Sequence, residues 1–275
     1  MTPSTGVQPT HATSTTHEPA GTPQPPDRPR ARRRVALAAS AFLACALPTV
    51  FTVNITRMLV VGENPDHRFH QVTGQGLLLF ALWLVPLIGL VRAGWSGRRP
   101  STALGWQHVA FVLTGVICSL LAPGGGAPFL TVVVAVTGAL VWISLPKRPR
   151  LRGRLQLDPV LAPVALLGAA LLLPYAADQV AAQNAVTHGH HAVNPHLFDM
   201  AWLAACLVVL AAAAAVLPAA RHLMVWFAAS TTVVGVAGLA LGEDGTWSLL
   251  VLGIGCLAGI ARVLTRRSEP VRSSA

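Results

Sequence analysis

Charged residues are scarce in this chain, at 11% of 275, and a single lysine stands against nineteen arginines. A soluble domain carries about a quarter of its residues as Asp, Glu, Lys and Arg, so this composition excludes one. The four cysteines, Cys45, Cys118, Cys206 and Cys256, lie inside apolar stretches and form no CxxC pair. That excludes a disulfide framework and a thiolate metal site, and leaves them as small, soft packing residues. No charged residue falls at the middle of an apolar stretch, which argues against a proton-coupled pump or a voltage sensor, since both need charge buried along their path.

Catalytic signatures are missing too. There is no HExxH, no GxSxG and no dinucleotide fingerprint. "APGGGAP" at 122–128 lacks the Lys-Ser/Thr of a phosphate loop and reads as a tight turn, as does "GEDGT" at 242–246. Hydrolase and nucleotide-dependent mechanisms lose weight, and metal-assisted hydrolysis at a surface stays open.

What the chain does have is apolar length. Mean hydropathy is +0.58, and eight apolar runs can be drawn at 35–61, 75–92, 102–122, 128–145, 159–182, 196–217, 222–241 and 246–264. Each is long enough for a tilted helix across a hydrocarbon core of roughly 30 Å. The expected fold is all-α, a polytopic integral membrane bundle of eight transmembrane helices. Its parts are a disordered tail at 1–34, helices 1–4 over 35–145, a basic linker at 146–158, helices 5–8 over 159–264 and a short tail at 265–275. The tail is rich in Thr, Ser and Pro. The run after it is too long for the h-region of a cleavable signal.

Eight spans put both termini on one side, and Lys and Arg mark the cytoplasmic side. With the termini inside, only Arg57 and Arg68 of the 20 basic residues fall outside. The formal charge of +10 is then a topology signal and a contact with anionic lipid at the cytoplasmic face. A nucleic-acid partner is not implied, because the basic residues are spread over separate inner segments. The Arg-, Ala- and Gly-rich composition points to a GC-rich bacterium, hence to the plasma membrane. The sequence names no protein partner.

The outer segments hold most of the acids and histidines. "GENPDHRFH" gathers Glu63, Asp66, His67, Arg68 and His70 before the second run, and "THGHHAVNPHLFD" gathers His188, His190, His191, His196 and Asp199 before and into the sixth. Asn64-Pro65 and Asn194-Pro195 read as helix starts, with Asn capping and Pro in the first turn. Asp158-Pro159 repeats the device on the inner side with no ligand pair behind it. His67 and His70, like His196 and Asp199, are three apart and share a helix face. The 130-residue recurrence of Asn-Pro admits a duplication into two parallel four-helix halves.

If the halves pack face to face, the starts of the second and sixth runs meet. His67, His70, His196 and Asp199 would then offer imidazoles and a carboxylate to Zn²⁺ or Cu²⁺, with His190 and His191 assisting from a flexible arm. The first expectation is therefore a transition-metal site at the outer face, serving transport or delivery. Wet, interfacial polar groups at helix N-termini are the bland alternative.

Arg57, near the outer end of the first run, is expected to pair with Asp178, or failing that with Glu63. It could hold a carboxylate, a phosphate or a quinone oxygen, or simply snorkel to the headgroups. A different class is a haem- or quinone-linked redox protein, with His108 and His222 as axial ligands of an inner haem and the outer histidines holding a second. A third is an accessory or scaffold subunit without chemistry. Whether the chain is an enzyme is left open.

Overall fold

The computed structural model describes residues 28–63, 65–123 and 127–267, with side chains except at 28–30, 127, 128, 190 and 193. Every regular element among them is helical. In chain order these are α1 (Arg28–Val61), α2 (Pro65–Trp95), α3 (Thr102–Leu121), α4 (Ala127–Ser144), α5 (Leu161–Ala185), the single turn α6 (His190–Val193), α7 (His196–Val216), α8 (Leu223–Leu241) and α9 (Gly245–Arg267). Seven of them are long and apolar enough to cross a bilayer, which makes the chain a multi-pass helical membrane protein. The expected fourth span forms α4, whose apolar part, Phe129–Ser144, is shorter than the rest.

Helix α1 begins at Arg28, so Arg32, Arg33 and Arg34 stand on its first turns. Arginine is a good helix former, and Pro29 lies in the first turn, where no donor is needed. Residues 1–27, most of the expected tail, lie outside the described residues, as do Asn64, Gly124–Gly126 of the glycine turn and 268–275.

Helix α7 is the centre of the bundle, buried over 72% of its apolar window against 22% for α1. It packs on α5, α3, α8 and α2. Lipid tails are as apolar as leucine side chains, so helices here associate by close packing and buried hydrogen bonds. Trp202 on α7 is fully buried, lies against Gly115 of α3 and donates its indole N–H to the Phe111 carbonyl at 2.8 Å. A Cβ at position 115 would come within 2.5 Å of that ring. Trp83, Phe111, Trp202 and Phe198 form a continuous aromatic block, with neighbouring ring centroids 4.5–5.7 Å apart.

Helix α2 is not uniform. From Gln71 to Leu84 it runs as a π-helix, with wider turns and i→i+5 hydrogen bonds. Such turns are rare and concentrate at functional sites. Gly76 permits this one, because a Cβ there would stand 2.8 Å from the Gln71 carbonyl oxygen.

At the other end the basic linker is docked along the bundle. Trp106 donates to the Leu151 carbonyl at 3.0 Å, and the amides of Gln156 and Asp158 donate to Val216 and Ala215 at 2.9 and 2.8 Å, satisfying the last carbonyls of α7. The Asp158 carboxylate accepts from the amides of Val160 and Leu161 at the start of α5. It also pairs with Arg221 at 2.9 Å. The Asp-Pro step is therefore a working cap, and the expectation of Asn194 as its outer counterpart is corrected. The N-cap of α7 is Pro195, which has no side-chain group to cap with, and the Asn194 carbonyl accepts from the His196 amide at 2.8 Å.

Candidate metal centre

Three chain segments bring histidines to one point. After α1 a turn through Gly62, at φ +80°, leads into a 3₁₀ turn over Pro65–His67 and an α-turn over Arg68–His70, which set His67 and His70 on one side of α2. Gly189, at φ +84°, starts the turn of α6 that carries His191. His196 opens α7.

The four rings are mutual neighbours. Centroid separations are 6.3 Å for His67–His70, 5.3 Å for His67–His191, 5.5 Å for His67–His196, 6.4 Å for His70–His191, 6.0 Å for His70–His196 and 5.8 Å for His191–His196. Six nearly equal separations among four rings describe a tetrahedron. With metal–nitrogen bonds of about 2.0–2.1 Å, a tetrahedral tetra-imidazole centre would put its centroids about 5 Å apart. The observed separations, 5.3 to 6.4 Å, are wider than that. As they stand, no three His, Cys, Asp or Glu among the described residues form a ready metal group, so coordination would need the rings to turn and draw in.

The surroundings hold the cluster in place. Gln75, one turn into the π-helix, sets its amide 2.8 Å from His196 Nδ1 and also hydrogen-bonds Asp199. That fixes the His196 ring and turns its Nε2 to the other side. Asp199 is only 6% exposed, and among the described residues it makes no ion pair. A carboxyl buried without a counter-charge is costly to keep ionised. His70 Nδ1 is likewise buried with no hydrogen-bond partner among the described residues.

Gly74 lets α2 and α7 close to this distance, since a Cβ would lie 2.9 Å from Met200 Sδ and 3.3 Å from Asp199 Cβ. Thr73 donates to that same sulfur at 3.2 Å. Gln183, 1% exposed at the end of α5, donates to the His191 carbonyl at 3.1 Å and accepts from the Phe198 amide at 3.3 Å, tying the α6 turn to the start of α7. Neither Gln75 nor Gln183 was among the sequence-derived candidates. The only sequence signal for them is polarity within apolar surroundings.

The remaining candidates fall elsewhere. The His190 side chain lies outside the described residues. Asp66 is exposed beside the cluster, and Asp178 is exposed on α5. The expected Arg57–Asp178 pair is corrected. Arg57 makes a bidentate pair with Glu63, both contacts 2.9 Å, because the Gly62 turn returns the chain over the end of α1. His188 is exposed and bonded to Thr187.

The proposed inner haem ligands have different settings. His108 is buried on α3, bonds to the Gly138 backbone and stacks on Trp142 at 6.0 Å. His222 is exposed beside a cavity lined by Arg262 and Arg266. The two line separate cavities.

Chemically, four imidazoles with an adjacent carboxylate suit a borderline divalent ion such as Zn²⁺ or Cu²⁺. Searches against protein-family models, curated proteins and solved structures find no match to this chain.

Proposed function

We propose that the protein binds a transition-metal ion, Zn²⁺ or Cu²⁺, through His67, His70, His191 and His196 at the outer face of the plasma membrane, for capture and delivery. In this reading the chain crosses the membrane eight times, α4 included, with both termini cytoplasmic. Asp199 supplies the counter-charge, and Gln75 orients His196, as second-shell groups do for metal-bound imidazoles. With Nε2 on the metal, His196 would carry its proton on Nδ1 and donate it to the Gln75 oxygen, the amide having turned over.

The observation that carries the reading is the set of six ring separations, all between 5.3 and 6.4 Å, among histidines from three separate segments. Interfacial filler has no reason to converge in that way. A holding site is favoured over a through path because the block of Phe198, Trp202, Phe111 and Trp83 begins about half a turn below His196 and continues to Trp202, about 9 Å along α7. An ion moving inward along α7 would meet packed aromatic rings.

Elemental analysis tests this. Detergent-purified protein is loaded with Zn²⁺ or Cu²⁺, desalted and compared with the His67→Ala/His196→Ala variant. The expected result is a single retained ion per chain in the wild type and loss of more than about 100-fold in affinity in a variant with an unchanged thermal transition. Folded wild-type protein that retains neither ion overturns the reading.

A further inference from the structure

Helices α8 and α9 form a hairpin that is closed at one end and open at the other. Toward its turn the backbones touch. Gly235 faces the backbone of Leu252, and Gly255 faces Thr231 and Thr232, where added Cβ atoms would come within 2.5–2.9 Å of their neighbours. Further from the turn the two helices part. A Cβ at Gly259 would meet nothing within 4 Å, and a cavity of about 1000 Å³ opens there.

The cavity has two chemically different ends. Thr232, Gly255 and Cys256 form its apex, Val225, Ala229 and Val263 its apolar walls, and His222, Arg262 and Arg266 its mouth. From His222 to Thr232 is ten residues of helix, or about 15 Å, half of a hydrocarbon core of roughly 30 Å. A slot that is basic at the surface, apolar inward and one leaflet deep matches a single lipid.

We infer that this groove binds an anionic phospholipid of the inner leaflet. Its phosphate would sit between Arg262, Arg266 and His222, and an acyl chain would lie along Val225, Ala229 and Val263 up to Thr232. Guanidinium groups suit phosphate oxygens because their donors form a planar fork. A free phosphate would use the mouth alone and leave the apolar depth unexplained, so the lipid is the better occupant. The site is separate from the histidine cluster. Only the word "inner" rests on the orientation proposed above, and binding in detergent does not depend on it.

Native mass spectrometry of delipidated protein tests the inference, with titrations of phosphatidylglycerol, phosphatidylcholine of the same chains, and inorganic phosphate. Phosphatidylglycerol should bind roughly tenfold or more tightly than phosphatidylcholine, and the preference should vanish in Arg262→Gln/Arg266→Gln. Gly259→Leu adds bulk to the slot at a position where a Cβ meets nothing within 4 Å, and it should weaken both lipids with the arginines intact. Equal binding of the two lipids, an anionic preference that survives both variants, or inorganic phosphate that displaces phosphatidylglycerol as well as an added lipid does would overturn it.

Discussion

The two ends of the bundle, inner and outer in the orientation proposed above, handle buried polar groups in opposite ways. At the inner end Asp158 is consumed by structure, since it caps α5 through two amides and pairs with Arg221. At the outer end Asp199 is equally buried, yet its partner is Gln75, which also contacts His196 of the histidine cluster. Both acids stand near an X-Pro helix start. A polar group whose hydrogen-bonding capacity is spent on the backbone explains itself, while one that faces other titratable groups asks for a ligand.

The largest expected effect tests the inner half of that contrast. Asp158→Ala removes a cap worth about 0.5–2 kcal/mol and leaves the partly buried Arg221 without its carboxylate, a further loss on the order of 1–3 kcal/mol. Thermal unfolding in detergent should shift down clearly, with metal retention per folded chain unchanged. Asp158→Asn keeps the cap and should recover part of the loss. If Asp158→Ala instead stripped metal without lowering stability, the inner end would be part of the site and the contrast would fail.

A smaller effect tests the outer half. Gln75→Leu removes the amide that holds His196 while leaving four imidazoles in place. Second-shell losses of this kind cost about 10–100-fold in metal affinity. Stability should fall by about 1–3 kcal/mol, because the buried Asp199 loses its glutamine partner, so affinity is read per folded chain. Competition with a chromogenic chelator measures the affinity directly. A Gln75→Leu protein that binds as tightly as the wild type would mean that the histidines orient themselves, and that Gln75 is packing.

The helices were legible because bilayer thickness imposes their length. The runs at 102–122, 196–217 and 222–241 match α3, α7 and α8 to within a residue or two. The meeting of the second and sixth runs could be read from the Asn-Pro repeat, although the N-cap of α7 falls on Pro195, one residue later than expected. What remained hidden depends on long-range packing. Nothing local announces that α2 widens into a π-helix, that Gln183 reaches His191 across eight residues, or that a turn returns Glu63 to Arg57. Asp158-Pro159 is legible as a helix start with no ligand pair behind it, and that absence is the mark of its structural role.

The Arg57–Glu63 pair supplies the weakest and sharpest test. It lies at the outer end, near the histidines, but both side chains are about half exposed, at 56% and 40%, and their charges are spent on each other. By the rule drawn from Asp158 it should be structural and nearly silent. Exposed pairs contribute about 0.2–1 kcal/mol, so Arg57→Gln should leave unfolding almost unshifted and metal affinity within about twofold. The same should hold for Glu63→Gln. A tenfold loss of affinity in Glu63→Gln alone would mean that its carboxylate serves the cluster when the ion is bound, that Arg57 merely parks it there, and that being paired does not mark a polar group as spent.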